Sequence, residues 1–196
     1  MQNKTNSQVR IIAGKWRSRK ITFPNKIHIR PTTDRIRETV FNWLTPYTQN
    51  ANCLDAFAGS GVLSFESLSR GANHVTMIDY AKENIMAIKN MAEKLNCLDQ
   101  ISLITQDFFA VQNFSFAPFE LIFLDPPFHQ GWIEKSIQHL EKNNCLKKDS
   151  LIYIECEKEK PINLPKNFKC IKEKSTSTIR YALVMRSVSS DHKLIG

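Results

Sequence analysis

The sequence predicts an α/β protein built around one open, largely parallel sheet. Short apolar runs alternate with segments in which apolar residues recur at helical spacing, as strands and helices do in such folds. A glycine turn at residues 59–61 stands between the first core strand and the helix that follows, an order typical of nucleotide-binding βα units. The apolar run 121–124 passes directly into an Asp-Pro-Pro-Phe motif, which places an acid at the end of a buried strand.

The predicted elements follow one another along the chain. Residues 1–30 are expected to form a basic arm or hairpin, in which two short apolar runs flank a turn around Trp16. The next helix begins after Thr32 or Thr33, the predicted N-caps, and closes at Pro46 or just before it. The body has predicted strands at 53–57, 75–79, 101–105, 119–124 and 150–155, helices at 62–70, 85–95 and 131–143, and a final antiparallel pair at 168–174 and 179–186. Residues 187–196 are expected to be a frayed tail.

Positive charge is concentrated near the N-terminus. The net charge is +8, but ten of the 27 Lys and Arg residues and only one of the 19 acids lie before residue 38, so this segment carries +9 and the remainder −1. The asymmetry predicts contact with a polyanion, most simply a nucleic acid, and a solvated arm that aids solubility is the alternative. Trp16 stands among these cations, where its ring either contacts the nucleic acid or packs the arm onto the body.

The glycine turn and two acids predict a site for an adenosine-containing ligand. Gly59 and Gly61 let a ligand approach the backbone, and the N–H groups of the following helix point into the gap. Asp79 ends the second core strand about twenty residues after Gly59, the spacing at which an acid accepts the two ribose hydroxyls. Asp107 follows the third core strand, where an acid can meet an adenine amine. For each acid, the alternative is a cap on the helix or turn that follows it.

The motif after the fourth core strand has the groups that hold a planar amine. Pro126 and Pro127 lack N–H groups and fix φ, so the strand ends in a stiff, extended corner. The Asp125 carboxylate and the Pro126 carbonyl can accept the two hydrogens of an exocyclic amine, while Phe128 stacks on the flat base. On these four residues alone, a strand followed by a proline turn with Asp125 as a cap is an equal alternative.

Composition narrows the class of protein. The five cysteines, Cys53, Cys97, Cys145, Cys156 and Cys170, are widely spaced and form no CxxC or Cys/His cluster. We therefore expect reduced, mostly buried thiols in a cytoplasmic protein, and no metal site. No apolar stretch is long enough to cross a membrane, and the first eight residues lack the pattern of a signal peptide.

Taken together, these residues resemble a known family. The order Asp55-Ala56-Phe57-Ala58-Gly59-Ser60-Gly61, Asp79, Asp107 and Asp125-Pro126-Pro127-Phe128 is similar to class I S-adenosylmethionine-dependent methyltransferases, whose last motif holds a target amine. Residues 10–17, 30–38, 41–44 and 68–72 look like the RsmD family, bacterial enzymes that methylate N2 of one guanine in 16S rRNA. The resemblance extends over about residues 9 to 186.

This resemblance implies a fold, a cofactor and a substrate. The fold is expected to be Rossmann-like over residues 31–186, with a seven-stranded mixed sheet and helices on both faces. S-adenosylmethionine is expected to bind Asp55, Phe57, Gly59, Ser60, Gly61, Asp79, Asp107 and Asp125, with Asp125, Pro126, Pro127 and Phe128 as the catalytic corner. The RNA is expected to contact Arg10, Lys15, Trp16, Arg17, Arg19, Lys20, Arg30, Arg35 and Arg37. The partner is 16S rRNA, within the small ribosomal subunit or an assembly intermediate, and the enzyme acts as a cytoplasmic monomer.

Two residues depart from the family pattern, and three rival functions stay open. Ser64 replaces a usual glycine, and Asp79 stands where relatives often have glutamate. The rivals are a DNA adenine or cytosine amine methyltransferase, a protein glutamine methyltransferase and a non-catalytic RNA-binding module. Against the first, we expect the chain to have no room for a separate DNA-reading domain. The second fits the basic arm poorly and more usually has Asn in place of Asp125. The third does not explain the intact acids.

Overall fold

A computed structural model describes residues 6–24, 33–128 and 130–187 of the chain. The first elements are β1 (Asn6–Arg10), β2 (Lys20–Pro24) and α1 (Asp34–Thr48). The body consists of β3 (Asn52–Asp55), α2 (Val62–Ser69), β4 (His74–Asp79), α3 (Lys82–Leu95), β5 (Ile101–Thr105), β6 (Phe119–Leu124), α4 (Trp132–Lys142), β7 (Leu146–Glu157), β8 (Phe168–Ser175) and β9 (Ile179–Arg186). The predicted RNA contact of Arg30 and the predicted tail beyond residue 187 lie outside the described residues.

Seven strands form one mixed sheet in the order β5-β4-β3-β6-β7-β9-β8. The first five of these strands pair in parallel, and β9 runs antiparallel to both β7 and β8. The order of the strands reverses between β3 and β6. In open α/β sheets, ligands bind at the carboxyl ends of the strands beside such a reversal. The seven-stranded mixed sheet predicted from the sequence is confirmed.

Helices cover both faces of this sheet, as predicted. Buried apolar side chains of α1, α2 and α3 share one core with Cys53, Leu121 and Phe123. On the opposite face, Ile137 of α4 shares a second core with Leu54. The division follows from the alternation of side chains along each strand, since successive residues point to opposite faces. The cysteine prediction also holds, because all five thiols are free and only Cys170 is partly exposed.

The β1–β2 hairpin packs tightly against the body. Ile11 and Ile21 are buried in the same core as α1 to α3. Gly14 approaches α2 so closely that a Cβ placed on it would lie 1.9 Å from the Ser69 carbonyl oxygen, and its φ of +83° also favours glycine. The Lys15 N–H donates to that carbonyl at 2.8 Å. The segment predicted as an arm is therefore, where described, a fixed part of the domain surface.

Some element boundaries differ from the predictions. Helix α1 continues through Pro46 to Thr48, because a proline in the last turn removes only one intrahelical bond and the Thr48 hydroxyl donates to the Leu44 carbonyl at 2.9 Å. The first core strand ends at Asp55, so Phe57 lies in the turn after it. Within the described ranges, no helix has the length and apolar character needed to cross a lipid bilayer.

Candidate active site

Four acidic residues meet at the carboxyl ends of the central strands. Asp55 ends β3, Asp79 ends β4, Asp125 follows β6, and Glu155 lies near the end of β7. Because these strands run parallel and side by side, their ends share one edge of the sheet. Three of these acids were predicted site residues. Glu155 was missed, although the alternation of β7 was a signal that it shares a face with Tyr153.

Asp55 is a buried acid in the middle of this edge. It is only 2% exposed, and its Oδ2 accepts a 2.6 Å hydrogen bond from the Ser64 hydroxyl. Burial raises the pKa of Asp55 to about 6, the Ser64 bond opposes this shift, and the Asp79 charge adds to it. Ser64, the first departure from the family pattern, therefore links the first turn of α2 to the end of β3.

The turn between β3 and α2 is shaped by two glycines. Gly59 and Gly61 have φ angles of +52° and +73°, in the left-handed region that side chains disfavour. A Cβ on Gly59 would meet only one atom within 4 Å, so its backbone borders open space. The Ser60 hydroxyl is buried and accepts from the Val62 N–H at 3.4 Å. The predicted glycine turn is thus present, with an accessible backbone at Gly59, whereas Gly61 packs against Ile88 and Phe65 of the core.

Asp79 anchors this turn and also bonds the segment that leads into α3. Its carboxylate accepts from the Gly59 N–H at 2.8 Å, the Ala81 N–H at 2.8 Å and the Asn84 side-chain amide at 3.0 Å. Helix α3 begins after Ala81 without a side-chain cap, so Asp79 bonds the turn that precedes the helix and does not cap it. Asn84 Oδ1 is buried and has no hydrogen-bond partner among the described residues. A hydroxyl group of a ligand at Asp79 is the kind of donor that this acceptor lacks.

Asp107, Phe57 and Tyr80 surround this end of the edge. Asp107 is exposed, and its Oδ1 accepts from the Phe109 N–H at 2.8 Å, so it caps the short turn after β5 as the alternative reading had it. Phe57 is half-buried and packs edge-on against Phe108, with 5.3 Å between ring centroids. Tyr80 directly follows Asp79 and is 77% exposed. Tyr80 was not among the predicted site residues, although an aromatic residue next to a strand-ending acid was a signal for it.

The Asp125 corner holds a pair of neighbouring carboxyl groups. Strands β6 and β7 pair in parallel up to the residues just before Asp125 and Glu155, so the two acids are adjacent. Burial raises the pKa of Asp125 well above its ordinary value, and the charges of Glu155 and Asp55 raise it further. The buried Tyr153 hydroxyl donates to Glu155 Oε2 at 2.8 Å. The neighbouring Glu155 therefore opposes ionisation of Asp125.

A pocket of about 190 Å³ opens beside this corner. Pro126, Pro127 and Phe128 line it on the side of the predicted motif, together with Trp132 of α4. Its other lining residues include Glu155, Glu157, Lys160 and Ile162. The structure therefore brings three of the four residues of the predicted catalytic corner to a concave surface, next to a tryptophan that was predicted only as part of a helix.

The predicted RNA-binding cations that the structure describes are exposed, with one exception. The exposed residues are Arg10, Lys15, Arg17, Arg19, Lys20 and Arg35. Trp16 is half-buried and packs against the core, as the packing alternative proposed, and Lys15 Nζ lies 4.3 Å from its ring centroid. Exposed positive charge is therefore present on the hairpin and, at Arg35, in the first turn of α1.

Arg37 is the exception, and its predicted RNA contact is wrong. The side chain is 0% exposed, and it donates to the Arg10 carbonyl at 2.9 Å and to Asp34 at 2.5 Å. It also lies 3.6 Å from the buried carboxylate of Glu66. A guanidinium enclosed in this way has no surface for an RNA phosphate. Its helical spacing to Phe41 and Leu44, both buried, was a signal that it faces inward.

No group of three or more His, Cys, Asp or Glu side chains in the described part of the chain is arranged to hold a metal ion. At the sheet edge, Asp55 and Asp79 instead accept hydrogen bonds from backbone and side-chain donors. Carboxylates beside an open glycine turn form a site suited to a cationic or hydroxyl-bearing ligand.

Solved structures that share this fold place the protein among the methyltransferases. A solved structure described as the putative methyltransferase yhhF from Escherichia coli has a TM-score of 0.83 and 36% sequence identity, over 92% of this chain and 99% of that one. Another, described as the putative methylase HI0767 from Haemophilus influenzae, has a TM-score of 0.77 and 41% identity, over 93% and 100% of the two chains.

The family follows from the sequence matches. The family described as "Conserved hypothetical protein 95" matches residues 9–185. A relative called ribosomal RNA small subunit methyltransferase D from Haemophilus influenzae is 45% identical over 183 residues, which are 90% of this chain and 93% of that protein. The Escherichia coli protein of the same name is 39% identical over 189 residues, 95% and 94% of the two chains. The chain belongs to this family, and the predicted resemblance to the RsmD family is confirmed.

Proposed function

We propose that the protein transfers a methyl group from S-adenosylmethionine to the exocyclic N2 amine of one guanine in bacterial 16S rRNA. The observation that carries this proposal is the Asp125 to Phe128 corner, which lies at the ligand-binding edge of the sheet next to the glycine turn. The relatives' name refers to the RNA of the small ribosomal subunit. The choice of guanine N2 as the target atom comes from the family resemblance. We further propose that the enzyme acts as a monomer in the cytoplasm.

The residues at the edge fit this cofactor. Gly59 leaves room for its methionine part beside the glycine turn, and Asp79 with Asn84 offers acceptors to the ribose hydroxyls. Asp107 is placed to accept from the adenine amine. When bound, S-adenosylmethionine supplies a methyl group that its positively charged sulfonium has already made electrophilic. Buried acids around it stabilise that charge before transfer.

The Asp125 corner aligns the target amine. Its carboxylate and the Pro126 carbonyl accept the two N2 hydrogens, which turns the nitrogen lone pair toward the methyl group, and Phe128 stacks on the base. Holding two reacting groups in line contributes about 7–11 kcal/mol to such reactions. The nitrogen becomes positively charged and acidic once methylated. The raised pKa of Asp125 then favours transfer of the surplus proton to its carboxylate.

The exposed cations of the hairpin and α1 bind the RNA backbone. Arg17, Arg19 and Lys20 are exposed, and the hairpin that carries them is fixed to the body through Gly14. Contacts of this kind provide affinity that falls with salt concentration but carry no base specificity. Specificity for one guanine therefore depends on the pocket beside Asp125 and on the shape of the RNA.

A methyl-transfer assay with three substrates in parallel tests the proposal. Labelled S-adenosylmethionine is supplied with unmethylated small subunits, free 16S rRNA or duplex DNA, and the labelled base is identified after digestion. We expect label on N2 of one guanine in at least one RNA substrate, and the better substrate shows which assembly state is used. Label in DNA alone would instead support the first rival function, a DNA amine methyltransferase. Bound cofactor with no label in any substrate would refute the proposed target and leave the cofactor site intact.

A further inference from the structure

Trp132 stands between the glycine turn and the Asp125 corner. It is the first residue of α4 and follows Gly131, whose φ of +64° turns the chain into the helix. The side chain is half-buried and lines the 190 Å³ pocket together with Pro126, Pro127 and Phe128. Nothing in the proposed cofactor or catalytic set explains why an aromatic ring occupies this position.

Two phenyl rings hold the indole in place. Phe57, in the turn after β3, stacks on Trp132 with 6.0 Å between centroids and 26° between planes. Phe109 meets it edge-on, at 5.4 Å and 87°. Lys135 Nζ in turn lies 4.0 Å from the Phe109 ring centroid. An indole packed in this way is oriented before any ligand arrives. A ligand that stacks on it therefore causes little further loss of side-chain conformational entropy.

We propose that Trp132 contacts the target base and forms an aromatic wall of the base pocket in addition to Phe128. This inference rests on the proposed function and names a positioning contact that the family motif does not include. Base stacking on an aromatic side chain is sequence-tolerant and strong enough to hold a flipped nucleotide. Through Phe57, the same indole is fixed to the turn that borders the cofactor, so that one ring sets the distance between the base and the methyl donor.

The size and lining of the pocket favour a single flat ring system. Its 190 Å³ is below the roughly 300–1,000 Å³ of pockets that enclose whole drug-sized ligands. Apolar walls come from Pro127, Trp132 and Ile162, while Glu157 and Lys160 provide polar groups at the same pocket. A planar base with hydrogen-bonding edges has this combination of surfaces. The ribose and phosphates would remain outside the pocket.

Steady-state kinetics on Trp132 variants provide the first test. With the RNA substrate identified in the methyl-transfer assay, Trp132→Ala should lower kcat/KM for RNA roughly 5- to 150-fold, the range that stacking accounts for. Trp132→Phe keeps a stacking ring and should restore most of that loss. Cofactor affinity, measured by calorimetry, should change much less than kcat/KM in both variants.

Trp43 provides a matched control. It is also half-buried and stacked, on Tyr181 with 5.6 Å between centroids and 25° between planes, but it is not among the residues of the pocket. Trp43→Ala removes a comparable aromatic pair and should reduce thermal stability without a selective change in KM for RNA. If Trp43→Ala and Trp132→Ala impair RNA methylation equally, the effect of Trp132 is structural and the inference is overturned.

Intrinsic fluorescence gives a direct readout of the contact. The chain has three tryptophans, so Trp132→Phe and Trp43→Phe each leave two reporters. Guanosine 5′-monophosphate, added with saturating S-adenosylhomocysteine, should quench the wild type and Trp43→Phe but leave Trp132→Phe nearly unquenched. Quenching that persists in Trp132→Phe contradicts the inference. A wild type that methylates no RNA would instead refute the proposed function, whereas quenching assigned to Trp132 would still support a base-binding pocket.

Discussion

The sheet edge and the β1–β2 hairpin use charge in opposite ways. At the edge, Asp55 and Glu155 are each 2% exposed, and burial raises the pKa of Asp55. On the hairpin, the cations are exposed, and the acid that holds the hairpin in place, Glu66, is fully buried. A buried charged group holds its partners at hydrogen-bond distance, whereas exposed charges attract a large polyanion from a distance. The first arrangement suits the alignment of a reaction, and the second suits docking of an RNA.

Glu66→Gln breaks the attachment of the hairpin and should have the largest effect. The carboxylate accepts from the Ile12 and Ala13 N–H groups at 2.7 and 3.0 Å and pairs with Arg70 at 2.8 Å, with Arg37 nearby. Removing one partner of a buried ion pair destabilises by about 3–5 kcal/mol, because the other charge stays buried. Urea unfolding of the cofactor-free protein measures the loss.

The control is an ion pair on the surface. Glu173 and Arg180 lie 3.6 Å apart and are both partly exposed to solvent. Glu173→Gln should change the free energy of unfolding by less than about 1 kcal/mol, as exposed pairs generally do. Equal losses in the two variants would mean that burial of Glu66 does not set its contribution.

Asp125→Ala tests the edge by its chemistry. Loss of a preorganised hydrogen-bonding group usually lowers kcat about 10²–10³-fold, since the amine is no longer aligned. Cofactor affinity should change little, because Asp79 and the glycine turn remain. Calorimetry with S-adenosylhomocysteine and single-turnover methylation separate the two effects. Unchanged turnover would remove Asp125 from the catalytic role.

Asp55→Asn tests the electrostatics of the edge through pH. The folded pKa of about 6 lies above the ordinary value of 3.8, so folding takes up a proton between these two pH values. The contribution of Asp55 to stability is therefore full below about pH 4 and is lost as the pH rises through 6. The variant should gain on the order of 2–3 kcal/mol relative to the wild type between pH 4 and pH 7. A difference that does not vary with pH would show that Asp55 has an ordinary pKa.

Replacement of Arg17, Arg19 and Lys20 together by Gln tests the hairpin surface and should have the smallest effect on the folded protein. Each phosphate contact contributes about 0.7–0.9 to the slope of log affinity against log salt, so the slope should become shallower by about 2–3. Filter binding of 16S rRNA between low and high salt gives this slope. Stability should change by less than about 0.5 kcal/mol, because the replaced side chains are exposed.

A triple variant of equal charge outside the hairpin is the control. Lys169, Lys172 and Lys174 are exposed on β8, the last strand of the sheet. Their replacement by Gln should leave the salt slope close to that of the wild type. Equal changes in slope would mean that net charge, and not the hairpin surface, determines RNA affinity.

Much of the fold was predictable because local patterns determined it. The run before Asp125 is buried strand β6, with the boundaries expected from its apolar residues and the prolines that follow. Gly59 and Gly61 occupy the turn that their spacing predicted, with φ angles that explain the residue type. The contacts of Arg37 could not be predicted in full. Its helical spacing indicates an inward face, but its partner Glu66 is in another helix.

By itself, the sequence determined the alternation of strands and helices, the glycine turn, the acids that end the strands and the concentration of positive charge near the N-terminus. These features depend on residues close together in the chain, whose backbone preferences and spacing act locally. Only the tertiary structure decided that Glu155 adjoins Asp125, that Ser64 bonds Asp55 and that Trp132 lies at the pocket. The first contact joins strands that are far apart in sequence, and all three depend on strand order and on how the helices pack against the sheet, which the whole chain determines.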